Sequence, residues 1–140
     1  MSLQTVSNYI VNKIKAVPDI NPDAVYDYED PTFAKYPAIS VTVKEWSQTW
    51  LTNQQNETRY IYTIRVYQEI NKNNIGVKQV EDNLRSITDT LIAAFNADNK
   101  LGATVVFSKP IGGRTGYIQN EPIRTYEFDL EVHDVITSIG

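Results

Sequence analysis

The sequence predicts an α+β domain in which two amphipathic helices pack on one face of a mixed or antiparallel β-sheet, in the order α-β-β-β-α-β-β. Three observations lead there. Apolar residues recur at three- and four-residue spacings near the N-terminus and again after residue 76, the period of a helix with one buried stripe. Around residues 39–43, 60–66 and 126–132 apolar and polar residues alternate instead, as they do on a strand with one buried face. The two kinds of segment are interleaved, which leaves the helices to cover a sheet from one side. A chain of 140 residues can bury a core without cross-links, and one domain spanning 1–140 is expected.

Val6, Tyr9, Ile10, Ile14 and Val17 make one apolar stripe on a helix of about four turns. Pro18 ends it, Ser2 or Thr5 is placed to offer a capping hydroxyl to free backbone N–H groups, and Pro22 keeps the next stretch irregular. Val25, Tyr26 and Tyr28 predict a short strand before Pro31 and Pro37. Proline removes a ladder donor, so this piece is an edge strand followed by a loop. Ile39, Val41 and Val43 alternate with Ser40, Thr42 and Lys44, giving a half-buried strand from Ala38 to Trp46. From Thr58 to Glu69 the alternation resumes, with Tyr60, Tyr62, Ile64 and Val66 on one face and Arg59, Thr63, Arg65 and Glu69 on the other. These strands are expected to pair as a hairpin. Their connection, Ser47–Glu57, is too long for a tight turn and lacks Gly and Pro, so it is an extended arm or an extension of the hairpin itself.

Asn71–Asn74 predicts a turn. Val77, Val80, Leu84, Ile87, Leu91, Ala94 and Phe95 then keep helical spacing for about six turns, while Lys78, Glu81, Asp82, Arg85 and Asp89 point away. Thr104–Phe107 has the texture of a strand, Ile111–Gly116 (IGGRTG) that of a flexible turn region, and Ile123–Val135 that of a last long strand. On that strand Tyr126, Phe128, Leu130 and Val132 face inward, and Thr125, Glu127, Asp129, Glu131 and His133 face outward.

Composition narrows the chemistry. Cysteine is absent, which removes disulfides, thiolate nucleophiles and sulfur metal sites together and fits a reducing cytoplasm. The N-terminal MSLQTVSNYIVNKIKAV lacks the apolar run of a signal peptide, and no stretch approaches the roughly 20 apolar residues of a membrane span. A net charge of -4 disfavours a general nucleic-acid-binding surface. Nine Tyr against four Phe suit sheet faces and wet interfaces, where the ring buries and the hydroxyl stays hydrated.

Catalytic constellations are not found. The single histidine, His133, lies on a strand with no nucleophile elbow in the chain, so a solvent-facing role is preferred to a catalytic one. Glu127, Asp129, Glu131 and His133 share a face and are of metal-ligating type. Same-face neighbours on a strand stand about 6.5–7 Å apart, however, so one ion spans two of them at most. A solvated acidic face is the preferred reading, paired laterally with Arg59 and Arg65 if those strands are neighbours. Lys109–Gly116 (KPIGGRTG) has the glycines of a phosphate loop but neither of the known spacings, and no helix pattern follows it. No enzyme activity, cofactor or metal is expected.

What remains is exposed apolarity. Trp46, Trp50, Leu51, Ile61 and Tyr67 fall on the polar face or on the connecting arm. Large apolar groups gathered there suit a partner; the alternative is that the N-terminal helix or the Phe33–Tyr36 loop covers them. Trp46, Trp50, Leu51 and Tyr67 are the candidate interface residues, and Glu127, Asp129 and Glu131 the candidate wet or luminal acidic face.

Taken together, the N-terminal amphipathic helix, the YPAI lead into a strand (Tyr36–Ile39), the long hairpin ending in RVYQE, the helix VEDNLRSITDTLIAAF and the closing strand EPIRTYEFDLEV resemble tail terminator (tail completion) proteins of long-tailed bacteriophages. The resemblance covers nearly the whole chain and lies in element order and texture. It implies an α+β subunit that assembles into a hexameric ring, caps the growing tail tube, and presents a surface to the head-side connector protein. The implied partners are further copies of itself, the tail tube protein and the connector, with DNA only passing through the lumen and no membrane. The implied location is the virion, at the head-tail junction, after synthesis in the host bacterial cytoplasm. An acidic strand on the lumen would repel phosphates and keep the duplex from sticking, which suits Glu127, Asp129 and Glu131. A head-closure or connector protein of the neck has similar size and partners, and a ferredoxin-like dimerisation or ligand-binding module shares the same elements.

Overall fold

A computed structural model describes residues 3–29, 36–52, 55–70, 76–102 and 105–137. Its elements are α1 (Leu3–Lys15), a 3-10 turn at Pro22–Ala24, β1 (Val25–Tyr26), β2 (Ala38–Trp50), β3 (Gln55–Glu69), α2 (Val77–Ala97), β4 (Phe107–Tyr117) and β5 (Ile123–Thr137). The predicted α+β order is therefore found. The strands form one five-stranded sheet, β1-β2-β3-β5-β4, in which β1 runs parallel to β2 and every other pairing is antiparallel.

The helices bury the stripes their spacing predicts. Val6, Ile10 and Ile14 of α1 and Val80, Leu84, Leu91 and Phe95 of α2 enter one core with Tyr62, Ile64 and Val66 of β3 and Phe128, Leu130 and Val132 of β5. Register explains why these strand residues meet: Tyr62 pairs with Leu130 and Ile64 with Phe128, and antiparallel partners share a face. Each fully buried side chain of this size contributes about 1.5–3 kcal/mol. Helix starts depend less on side-chain caps than expected. Thr5 lies inside α1 and not at its cap, Ser2 lies outside the described residues, and α2 begins at Gly76 without a side-chain cap bond. The predicted turn at Asn71–Asn74 also lies outside the described residues.

The Ser47–Glu57 connection is hairpin. Ser47 pairs with Arg59, Thr49 with Glu57 and Trp50 with Asn56, and the turn closes where the Leu51 and Thr52 amides donate to the Gln55 carbonyl. The lack of Gly and Pro, which argued against a tight turn within this stretch, is what lets the ladder run on. β5 follows β3 along the extension, out to Thr137 opposite Gln55, so the arm is three strands wide.

Two expectations about β4 need correction. The strand placed at Thr104–Phe107 begins only at Phe107, with residues 103–104 outside the described residues, and the IGGRTG stretch is edge strand and not a turn. Its glycines answer to neighbouring backbone. Gly112, at φ 148°, takes up the register shift between Pro110 and Gly112, a bulge that bends the edge. At Gly113 a Cβ would sit 2.2 Å from the Glu127 carbonyl oxygen, so only glycine permits β5 to approach. Glycine inside a strand often marks such an approach.

Candidate functional site: a hairpin arm and an ion-paired face

A bulge in β2 decides where the tryptophans go. The register between β2 and β3 shifts between Val43 and Glu45, so one residue is inserted and the face presented by every later residue changes. Lys44 and Glu45 both serve the face away from the helices: Lys44 bonds Asp129 at 3.1 Å and Glu45 lies 3.7 Å from Arg59. Trp46 then pairs with Tyr60, a core residue of the helix side. Trp50, four residues on, shares that side. The sequence places Trp46 on the polar face because simple alternation ignores the inserted residue. Beyond the helices nothing in the described chain covers these rings: Trp46 is 64%, Trp50 66% and Leu51 51% exposed.

Tyr67 does not belong with them. It is 1% exposed, packed with Ala38 and Ile123 in a small second core on the other face, to which Tyr26, Tyr36 and Ile118 add cover. Its hydroxyl lies 3.0 Å from Ser40 Oγ and donates to Glu29. Ile61 is buried as well. For these two residues the alternative of cover from within the chain holds, and Tyr36 belongs to the Phe33–Tyr36 loop that the sequence suggested; residues 33–35 lie outside the described residues.

Glu127, Asp129 and Glu131 do share the face opposite the helices, but it is not a bare acidic surface. β3 is β5's neighbour on one side and β4 on the other, and both supply cations. Arg65 binds Glu127 at 3.2 Å and Arg59 binds Glu131 at 2.9 Å, the lateral pairing with Arg59 and Arg65 that the sequence raised. Arg114 of β4 reaches Glu127 at 2.9 Å and Asp129 at 3.4 Å, a role hidden while its segment read as a turn. Lys44 and the Thr63 hydroxyl complete Asp129's shell. Burial pushes the Asp129 pKa upward, but the hydrogen bonds from Lys44, Arg114 and Thr63 outweigh it, and the net shift is downward. Glu131 is also held below the ordinary range, by Arg59 first and by His133, against burial. His133 stands between Glu57 at Nδ1, 2.5 Å, and Glu131 at Nε2, 2.6 Å, and stacks on Phe107 with centroids 4.7 Å apart. Among the described residues no group of three or more acidic or histidine side chains is arranged to hold a metal ion, and no helix is long and apolar enough to cross a membrane.

These features define an α+β fold with a sheet covered by helices on one side, a cross-linked charged face on the other, and an arm that carries uncovered indoles. No family model and no curated protein matches the sequence. Among solved structures, a chain from the virion of a native gene transfer agent particle has a similar fold, with a TM-score of 0.65 over 95% of each chain at 11% identity. At that identity the likeness shows the fold.

Proposed function

We propose that this chain is a structural protein of a phage-like virion and, within that class, a tail terminator: a subunit whose ring caps the tail tube, ends its polymerisation and offers a surface for head attachment. The likeness of fold to a chain of a gene transfer agent virion, extending over 95% of both chains, carries the reading, and it agrees in direction with the resemblance of the element order to terminators. The role is structural and not catalytic. Two further features support it. Trp46, Trp50 and Leu51 give the arm the aromatic anchors from which protein contacts are built, and a ring requires two different patches per subunit, which the arm edge and the β4 edge of this sheet can supply. The partners are further copies of the chain, the tail tube protein and a head-side connector, in the virion at the head-tail junction, with DNA passing through.

Solution mass tests the assembly. A closed ring of several copies, formed freely or on tail tubes, is expected. A stable dimer indifferent to tubes would favour a ferredoxin-like dimerisation module and sink the terminator reading.

A further inference from the structure

The sheet has two free edges, and they are not alike. β1 pairs with β2 only at Ile39 and Ser40, so from Val41 to Trp50 β2 has no outer partner among the described residues. β4 ends the other side, also without an outer partner among the described residues. Beside β4, beneath α2, lies a groove of about 450 Å³ with Thr88 and Ile92 on one wall and Pro110, Gly113 and Phe128 on the other. That volume is within the roughly 300–1,000 Å³ of sites that take a bulky group. Ile92, Pro110 and Phe128 make the lining of the groove largely apolar. A flat, mainly apolar group suits such a groove, and that describes an indole.

We propose that this groove receives Trp46 from a second copy of the same chain. The inference rests on the ring reading above and names the surfaces that build the ring. Four relations favour this occupant. Trp46 stands on the helix side of its sheet, through its pairing with Tyr60, and the groove opens on the helix side, between α2 and the sheet. A neighbouring sheet laid edge to edge keeps both on the same side. In height, Trp46 is level with Tyr60, then Val132, then Ser108, and Ser108 is two residues from Pro110 at the groove.

In direction, β2 and β4 run oppositely, as three successive antiparallel pairings require. Rotation about an axis along the strands therefore brings the two edges together antiparallel. In charge, residues 45–58 carry only Glu45 and Glu57, and β4 carries only Lys109 and Arg114. Arg114 is already held by Glu127 and Asp129, so Lys109 is the cation that the rim of Glu45 and Glu57 would meet. A knob on one edge and a hole on the other make a heterologous contact, the kind that closes into rings.

The absence of cysteine makes the test direct. Gln48, exposed on the same side of the arm as Trp46, and Asn96, exposed at the groove, are replaced singly in the full chain (Gln48→Cys and Asn96→Cys), and the two proteins are mixed with a short bismaleimide. The mixture is expected to give a covalent dimer that neither protein gives alone. Adding Trp46→Ala to the Gln48→Cys chain is expected to lower its yield by about tenfold or more, as for a central aromatic anchor. Cross-linking of Gln48→Cys with itself, or indifference to Trp46→Ala, would overturn the proposal. Rings that form and cap tubes without the mixed cross-link would overturn this contact and leave the terminator reading standing. A chain that never self-associates, alone or on tubes, would end both.

Discussion

At the level of single residues, the carboxylates of β5 hold strands together more than they face water. Asp129 meets Lys44 from β2, Thr63 from β3 and Arg114 from β4, so one side chain ties the sheet across its width. Exposed ion pairs contribute little, but a largely buried, multiply bonded carboxylate is costly to disturb. The sign of its pH effect follows from the shifts. Asp129 and Glu131 are depressed in the folded protein, so the stability they contribute is complete above the unfolded carboxylate range and is lost as pH falls through their folded values. Urea unfolding between about pH 6 and about pH 2 should show stability decreasing with acid, and the Asp129→Asn, Glu131→Gln double variant should show a shallower decrease. Equal slopes for variant and parent would mean that these two groups are not what links folding to protons.

At the level of elements, core and arm separate cleanly. Leu84 is fully buried on α2, and Leu84→Ala should cost about 2–5 kcal/mol. Trp50→Ala with Leu51→Ala, at the exposed arm, should change unfolding free energy by no more than about 0.5 kcal/mol per site while abolishing assembly. If that double variant folds and assembles as well as the parent, the arm is not a docking element. The helices, β3 and β5 were legible from periodicity alone, because each carries one regular apolar face into the helix-side core. The Trp positions on the arm were legible as unplaced apolar residues. Their side of the sheet was not, since a one-residue bulge near Lys44 reverses alternation with no signal in composition. Arg114 was missed for the opposite reason: glycines that serve a close backbone approach look, in sequence, like glycines that serve a turn. Tyr67 was misassigned because a second small core, built from Tyr26, Tyr36 and Ile118 around it, is assembled from segments distant along the chain.

At the level of the whole molecule, the sheet's charged face changes what a lumen lined by it would do. Glu127, Asp129 and Glu131 are matched by Lys44, Arg59, Arg65 and Arg114, so passing DNA would meet a balanced field instead of a strongly repulsive one. Such a surface neither grips phosphates nor requires the acidic strand to stand exposed, and it leaves the carboxylates to stiffen the sheet while, in the ring proposed above, the arm and the β4 edge would make the contacts. The proposed role then reduces to control of tube length. Electron microscopy of particles assembled without this protein reads that directly: tails of abnormal and variable length are expected, and tails of normal length lying free of their heads would contradict it.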